Sequence, residues 1–174
     1  MSDPELVALA RQGDKNAFHS LYLRHHGRVY AISLRMAGQA SVAEDITQEC
    51  FVRLWHKLAQ FEGNSEFSTW LHRLCVRQAI NSIKAQKSFW QRFVSHEQLN
   101  QQDQAFADEH TSSTEYHQLD KLIVRLPERM RMVFVLAALE GYQHDEIAKL
   151  LGIAVGTSKN QYFKAKQLLQ EMLS

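Results

Sequence analysis

The residues best suited to bind another molecule lie near the carboxyl end of the chain, between Gly141 and Lys166. Apolar residues at helical spacing predict two short helices there, and these meet at Gly152, which easily adopts the left-handed backbone that ends a helix. The second helix presents a polar face made of Thr157, Lys159, Asn160, Gln161 and Lys164. Lysine binds phosphates, and Asn or Gln can form two hydrogen bonds with an adenine edge, as in the recognition helix of a helix-turn-helix. The alternative is an ordinary helical hairpin with a solvated polar face.

Apolar stripes on both helices must pack together to hold that polar face in place. The stripe of the first helix consists of Ile147, Ala148 and Leu151. In the second helix we expect the buried positions to be Val155, Tyr162, Ala165 and Leu169.

The composition is that of a folded, helical protein. The 174 residues are 45% hydrophobic and 22% charged, with only 7 Gly and 2 Pro. These values predict an all-α chain of two small helical domains joined by a flexible linker. No apolar run approaches membrane-spanning length and the N-terminus has no leader pattern, so we expect a cytoplasmic protein without membrane insertion.

Charge is distributed unevenly along the chain. Residues 1–85 carry 10 Lys and Arg against 8 Asp and Glu (+2), residues 86–115 carry 2 against 5 (−3), and residues 116–174 carry 8 against 6 (+2). This distribution predicts two mildly basic domains, at 1–85 and 115–174, separated by a polar, acidic linker at 86–114. It is the pattern expected if the two ends bind nucleic acid and the middle does not.

The reactive side chains indicate no catalytic or metal site. Cys50 and Cys75 lie within helical apolar patterns, which predicts buried thiols rather than a disulfide framework or a zinc site. The nine histidines show no metal-ligand spacing. Because no catalytic carboxylate, Cys-His or Ser-His arrangement and no phosphate loop is present, we expect neither an enzyme nor a bound cofactor or metal.

Three capping signals organise the first domain. Asp3 before Pro4 predicts the start of the first helix, and Asp14 predicts a cap for a second helix from about Asn16 to Met36. Ser41 and Glu44 have capping-box spacing, which predicts the start of the third helix. Its buried stripe is expected to be Val42, Ile46, Cys50, Leu54 and Leu58, flanked by Phe51 and Trp55. The opposite side carries Asp45, Gln48, Glu49, Arg53 and His56, a row that is usually only a solvated face.

A polar loop, 62–66, lies between Phe61 and Phe67 and leads into a fourth helix predicted to run to about Lys84. We expect its packed side to contain Phe67, Trp70, Leu71, Leu74, Cys75 and Ala79, and its exposed side His72, Arg73, Arg77, Asn81 and Lys84. A polar loop framed by aromatic rings beside a row of cations suits unstacked single-stranded bases. The alternative is that Phe67 and Trp70 only fill the core.

The second domain is predicted to open with a helix from about Glu115 to Leu126, interrupted by Pro127. A further apolar helix, from Glu128 to Leu139, precedes the helix-turn-helix.

Five ordered strings resemble the sigma-70 family of RNA polymerase sigma factors, in its small extracytoplasmic-function (ECF) group. The strings are Gly13-Asp14 with Ala17-Phe18; Ala43-Glu44-Asp45 with Gln48-Glu49 and Arg53-Leu54-Trp55; Phe67 with Trp70-Leu71; Leu126-Pro127-Glu128-Arg129; and Glu146-Ile147-Ala148 with Leu151-Gly152-Ile153 and Val155-Gly156-Thr157. The resemblance covers nearly the whole chain apart from the linker.

The resemblance implies a role for each surface. Residues 1–85 would form sigma region 2, whose face with Asp45, Gln48, Glu49 and Arg53 contacts core RNA polymerase. The promoter −10 element would be bound by Asn64, Ser65, Phe67, Trp70, Arg73, Arg77, Asn81 and Lys84. Residues 115–174 would form sigma region 4, which binds the −35 element through Thr157, Lys159, Asn160, Gln161 and Lys164. The acidic linker would pass through the polymerase toward its RNA exit path.

The chain departs from the family pattern at several positions. Asn81 stands where Asp is usual, Ser158 where Val is common, and Asn160-Gln161 where Ser-Arg is common. The lost Arg removes a contact worth about 1–3 kcal/mol, which predicts a different promoter preference or weaker DNA binding. Gln143 also replaces a better helix cap.

The predicted function is therefore a dissociable initiation factor, monomeric when free, that directs core RNA polymerase to promoter DNA and helps melt it, in a stress or envelope response. An anti-sigma factor is an expected partner. The alternative is a stand-alone helix-turn-helix regulator that binds operator DNA as a dimer.

Overall fold

The computed structural model describes the backbone of residues 1–93 and 114–174, and the side chains of residues 1–86 and 118–174. Its helices are α1 (Asp3–Arg11), α2 (Lys15–Ala37), α3 (Ala40–Lys57), α4 (Phe67–Phe93), α5 (Thr114–Ile123), α6 (Glu128–Phe134), α7 (His144–Leu151) and α8 (Val155–Leu173). A 3-10 turn, Leu58–Gln60, follows α3, and a π-helical turn, Val135–Leu139, continues α6. The described residues contain no strand, which confirms the all-α fold class.

Short polar side chains begin the first two helices. Ser2, rather than Asp3, caps α1: its hydroxyl accepts from the Glu5 N–H, and the Glu5 carboxylate accepts from the Ser2 N–H. Asp3 lies one position inside the helix and instead binds Arg24 and His25 of α2. Asp14 caps α2 as predicted, because its carboxylate accepts from the N–H groups of Asn16 and Ala17.

The predicted capping box at Ser41 and Glu44 is wrong. Gly38 ends α2 in the left-handed conformation (φ 75°), Gln39 is extended, and α3 begins at Ala40. Ser41 therefore lies inside α3, and Gln39 occupies the N-cap position of that helix.

The fourth helix is longer than predicted, since α4 continues past Lys84 to Phe93. Residues 86–93 of the predicted linker are thus helical, and residues 94–113 lie outside the described residues. The fifth helix ends at Ile123, a little before the predicted Leu126.

We call α1–α4 the N-terminal lobe. Its core lies between α2, α3 and α4, and the predicted stripe of α3 is buried there from Val42 to Leu58. Cys50 and Cys75 are both buried free thiols, as predicted. Trp55 was predicted to flank the core, but its side chain is 36% exposed.

We call α5–α8 the C-terminal lobe. Its core joins α6 to α8, with Val133, Leu136, Ile147 and Leu169 buried. Val155 was expected inside but is 41% exposed, because it is the first residue of α8 and precedes the stretch that packs.

The two lobes contact each other through a buried arginine on α6. Arg131 donates Nε to the Met36 carbonyl (3.0 Å) and Nη2 to the Ala37 carbonyl (3.1 Å) at the end of α2. Its Nη1 donates to the carbonyls of Val124 and Leu126 in its own lobe. A Cβ at Gly38 would lie 2.9 Å from the Arg131 Cζ. Glycine is therefore needed here both for the left-handed backbone that ends α2 and for the close approach of the Arg131 side chain.

No helix within the described ranges is long and apolar enough to cross a membrane.

Candidate nucleic-acid and partner interfaces

The outer face of α3 is polar with an apolar centre. Asp45, Gln48, Glu49 and Arg53 are all exposed, as expected for a face that is free to meet a partner. Between them lies Val52, which is 55% exposed, and Trp55 adds an exposed indole at the same end of the helix. Its ring meets the edge of Phe18 at 4.9 Å between centroids and borders an open depression lined by Lys15, His19 and Tyr22.

Sequence reasoning missed the apolar part of this face. Trp55 was assigned to the flank of the core because aromatic residues are usually buried. The available signal was Val52, which lies outside the buried stripe on the helical period. Apolar side chains surrounded by polar ones are typical of protein-binding surfaces.

The loop at 62–66 rests on an aromatic cluster. Phe61 and Phe67, which bracket the loop, are buried, and their rings lie 5.9 Å apart; the half-buried Trp70 lies 5.2 Å from Phe61. Within the loop, Asn64 Nδ2 donates to the Glu62 carboxylate at 3.2 Å, and Asn64 is exposed. The cluster thus gives a polar, accessible loop a rigid base.

The exposed row of α4 follows directly from this loop. Arg73, Arg77, Asn81 and Lys84 are all exposed, as the helical spacing predicts. His72, expected on the same surface, is instead partly covered by the C-terminal lobe: its Nδ1 lies 3.6 Å from the Glu140 carboxylate, and its ring stacks on Tyr142 at 5.9 Å.

The C-terminal lobe lies close to the cations of α4. Burial raises the pKa of the Tyr142 phenol, an effect that the neighbouring Arg73 and Arg77 partly oppose. Lys84 Nζ lies 3.5 Å from the Leu150 carbonyl of α7. Lys84 also lines one cleft together with Thr157 and Gln161 of α8.

The helix-turn-helix forms as predicted. Helix α7 ends at Gly152 in the left-handed conformation (φ 68°), and α8 restarts at Val155. Thr157, Lys159, Asn160 and Lys164 are exposed on α8, and Gln161 is half-buried. At the start of α7, the Glu146 carboxylate accepts from the Gln143 N–H, so a capping contact exists despite the unfavourable residue at 143.

Two features of α8 were not predicted. Ser158 is fully buried, and its hydroxyl lies 2.7 Å from Nδ1 of His144 on α7. Phe163 is 56% exposed on α8, next to Lys164. In a helix that enters the major groove, an exposed phenyl ring can contact the methyl group of thymine.

Within the described residues, no group of three or more His, Cys, Asp or Glu side chains is arranged to hold a metal ion.

Comparison with known proteins decides the family. The sigma-70 region 2 model matches residues 21–89, and the sigma-70 region 4 model matches residues 116–169. The chain belongs to the sigma-70 family. Its relatives place it in the ECF group: it is 30% identical to the ECF sigma factor SigW of Bacillus subtilis, over 96% of this chain and 94% of that one.

Two further relatives are similarly complete. The RNA polymerase sigma-H factor of Pseudomonas aeruginosa is 27% identical over 98% of this chain and 93% of its own. The ECF sigma-E factor of Escherichia coli K12 is 29% identical over 97% of this chain and 93% of its own. The resemblance noted from the sequence is thus confirmed along nearly the full length of this sigma factor.

Solved structures share its fold. CnrH, determined in complex with the cytosolic domain of CnrY, is 27% identical with a TM-score of 0.53, over 98% of this chain and 96% of that one. The sigma factor RpoE of Bartonella quintana, determined with the anti-sigma factor NepR, has a TM-score of 0.59 at 22% identity, over 90% of this chain and 96% of that one.

Proposed function

We propose that this ECF sigma factor uses three separate surfaces to bind core RNA polymerase, the promoter −10 element and the −35 element. The observation that carries the proposal is the order of exposed groups in the N-terminal lobe. A polar face with an apolar centre on α3 is followed by an aromatic-based loop and then by the cations of α4. The factor acts by binding and catalyses no covalent reaction.

The α3 face is the surface for core polymerase. Asp45, Gln48, Glu49 and Arg53 supply directional polar contacts, and the exposed Val52 and Trp55 supply apolar area that is desolvated on binding. Aromatic side chains contribute strongly to interface energies, so Trp55 is expected to be the anchor.

The loop at 62–66 and α4 form the −10 surface. Asn64 and Ser65 bind an unstacked base, Phe67 and Trp70 support the loop from below, and the cations Arg73, Arg77 and Lys84 bind phosphates, with Asn81 between them. Holding the unstacked base offsets the few kcal/mol that unstacking costs, which favours the melted promoter.

Helix α8 is the −35 surface. Lys159 and Lys164 bind phosphates, while Thr157, Asn160 and Gln161 contact base edges in the major groove. The exposed Phe163 adds an apolar contact that favours thymine.

Binding both promoter elements requires the two lobes to separate. In the free chain Lys84, Thr157 and Gln161 line one cleft, whereas the −10 and −35 elements are separate stretches of the promoter. Polymerase is expected to hold the lobes apart, which makes the second DNA contact effectively intramolecular. An anti-sigma factor would instead hold the chain inactive in the cytoplasm.

Run-off transcription tests the proposal. Core bacterial polymerase is supplied with this chain and a promoter library, and transcripts should appear only when the chain is added. Replacing Asp45 and Gln48 together with Ala should reduce association with core polymerase, while Lys57→Ala, an exposed position at the end of the same helix, serves as the control.

The rival function gives a different result. A dimeric operator-binding regulator would bind specific DNA tightly without polymerase and would sediment as a dimer. Either observation, together with failure to co-migrate with core polymerase, would overturn the proposal.

A further inference from the structure

Arg11, the last residue of α1, reaches the turn that precedes the 62–66 loop. Its Nε donates to the Leu58 carbonyl at 3.0 Å, and its Nη2 donates to the Ala59 carbonyl at 3.1 Å and to the Phe61 carbonyl. The Leu58 carbonyl also accepts from the Phe61 N–H, which closes the 3-10 turn, and a cation is favourable beside carbonyl groups at the end of a helical segment. One guanidinium therefore fixes the end of the 3-10 turn.

Phe61 is held from two sides as a result. Its backbone carbonyl is bound by Arg11, while its ring packs against Phe67 and Trp70 at 5.9 and 5.2 Å. The next residues, Glu62, Gly63 and Asn64, are exposed and belong to the loop. Phe61 is thus the fixed edge from which the loop departs.

We infer that Arg11 is a positioning residue for capture of the unstacked −10 base. The inference rests on the proposed function of the loop. Arg11 does not contact DNA; it orders the loop before binding, so that less conformational entropy is lost when the base enters. A lysine would bind fewer of these three carbonyl groups, because only the planar guanidinium of arginine can donate to several of them at once.

The simpler role for Arg11 is a clamp that only attaches α1 to the lobe. A second arginine offers the matched control, since Arg24 also binds α1: it donates to the Asp3 carboxylate at 2.7 Å and to the Met1 carbonyl at 2.8 Å. These contacts lie at the opposite end of α1 from Arg11, and the Arg24 substitution leaves in place His25, which also binds Asp3 and meets Phe67 edge-on at 5.3 Å. If attachment of α1 were all that mattered, both arginines would affect base capture alike.

The test uses holoenzyme assembled from core polymerase and the full chain, either wild type, Arg11→Ala, Arg11→Lys or Arg24→Ala. The probes are single-stranded −10 oligonucleotides, each intact or with one abasic position. The measured quantity is the ratio of affinities for intact and abasic DNA at the position where the base is captured. Affinity for a −35 duplex and for core polymerase is measured in parallel.

We expect Arg11→Ala to weaken binding of the intact oligonucleotide by about threefold to tenfold and to bring the intact-to-abasic ratio toward one. Arg11→Lys should be intermediate, and Arg24→Ala should keep the wild-type ratio. Affinity for the −35 duplex and for core polymerase should stay unchanged in all variants. Should Arg11→Ala fail to fold, Arg11→Lys carries the test.

Two results would overturn the inference, and they differ in meaning. If wild-type holoenzyme shows an intact-to-abasic preference that the Arg11 variants retain, or that Arg24→Ala loses equally, Arg11 is only a clamp and the loop assignment survives. If wild-type holoenzyme shows no such preference at any position, the loop does not capture a base, and its proposed function fails together with the role of Arg11.

Discussion

The imidazole Nδ1 of His144 and the hydroxyl of Ser158 lie 2.7 Å apart, and this contact joins the two helices of the helix-turn-helix. Ser158 is fully buried. The ring of His144 also meets Tyr162 edge-on at 5.5 Å. A polar contact thus joins α7 to α8 in addition to their apolar packing.

Replacing Ser158 with Ala should destabilise the C-terminal lobe. The hydrogen bond to His144 is lost inside the core, which should lower the free energy of unfolding by about 1 kcal/mol, measured by urea denaturation. Thr157→Ala is the matched control: it removes an exposed hydroxyl one residue away, so stability should persist while −35 binding weakens. Equal stability of the Ser158→Ala and wild-type proteins would show that the contact does not stabilise the fold.

The two thiols should be unreactive until the N-terminal lobe unfolds. A hydrogen bond with Cys50 and burial raise the pKa of the Cys75 thiol, and only the thiolate reacts efficiently with disulfide reagents. We expect an aromatic disulfide reagent at pH 8 to label native protein very slowly, and to label it faster as urea unfolds the lobe. A Lys57→Cys variant, whose new thiol is exposed, should react immediately. Rapid labelling of native wild-type protein would contradict the buried placement.

The apolar centre of the α3 face gives a further prediction. Val52→Glu places a charge in the surface proposed to be desolvated by polymerase, so affinity for core polymerase should fall by about tenfold or more, measured by titration of labelled chain. Ser20→Glu adds the same charge at an exposed site on α2 and should have little effect. If both variants weaken binding equally, net charge rather than this face determines affinity.

Local signals predicted most of the fold because they act within a few residues. Asp14, Gly38 and Gly152 each cap or end a helix through contacts or backbone conformations of their own neighbourhood. The capping box at Ser41 failed because α3 begins at Ala40, only two residues after Gly38, so Ser41 already lies inside the helix. The length of α4 was underestimated even though the sequence from 85 to 93 contains no Gly or Pro to end it.

The exposed cations of α4 and α8 were predicted because their exposure follows the helical period. The burial of Ser158 was missed, although Ser158 falls on the same stripe as Tyr162, Ala165 and Leu169. The contacts of Arg11 and Arg131 could not be read from spacing, because their partners are carbonyl groups 47 and 95 residues away. Backbone acceptors carry no residue-type signal that a sequence pattern could reveal.

The contact between α4 and the C-terminal lobe should weaken on acidification. Burial lowers the pKa of His72, an effect that the Glu140 carboxylate opposes and that Arg28 and Arg73 reinforce. Tyr142, stacked on the ring, is neutral between pH 5.5 and pH 7.5, because the ordinary pKa of a phenol is about 10 and burial raises it further. The arrangement in which His72 packs against the C-terminal lobe therefore favours a neutral imidazole. If the lobes separate and His72 becomes exposed, it takes up a proton near its ordinary pKa of about 6.5.

The sign follows from proton linkage. Above about pH 6.5, His72 is neutral whether or not α4 contacts the C-terminal lobe, so pH does not affect the contact. As the pH falls through about 6.5, the state with exposed His72 binds more protons and is stabilised relative to the state with the contact. We expect the distance between fluorescent labels at Lys57→Cys and Gln170→Cys to increase from pH 7.5 to pH 5.5. His72→Gln should remove this dependence, and His56→Gln, at an exposed histidine on α3, should retain it. A pH response that persists in the His72→Gln protein would assign the effect to another group.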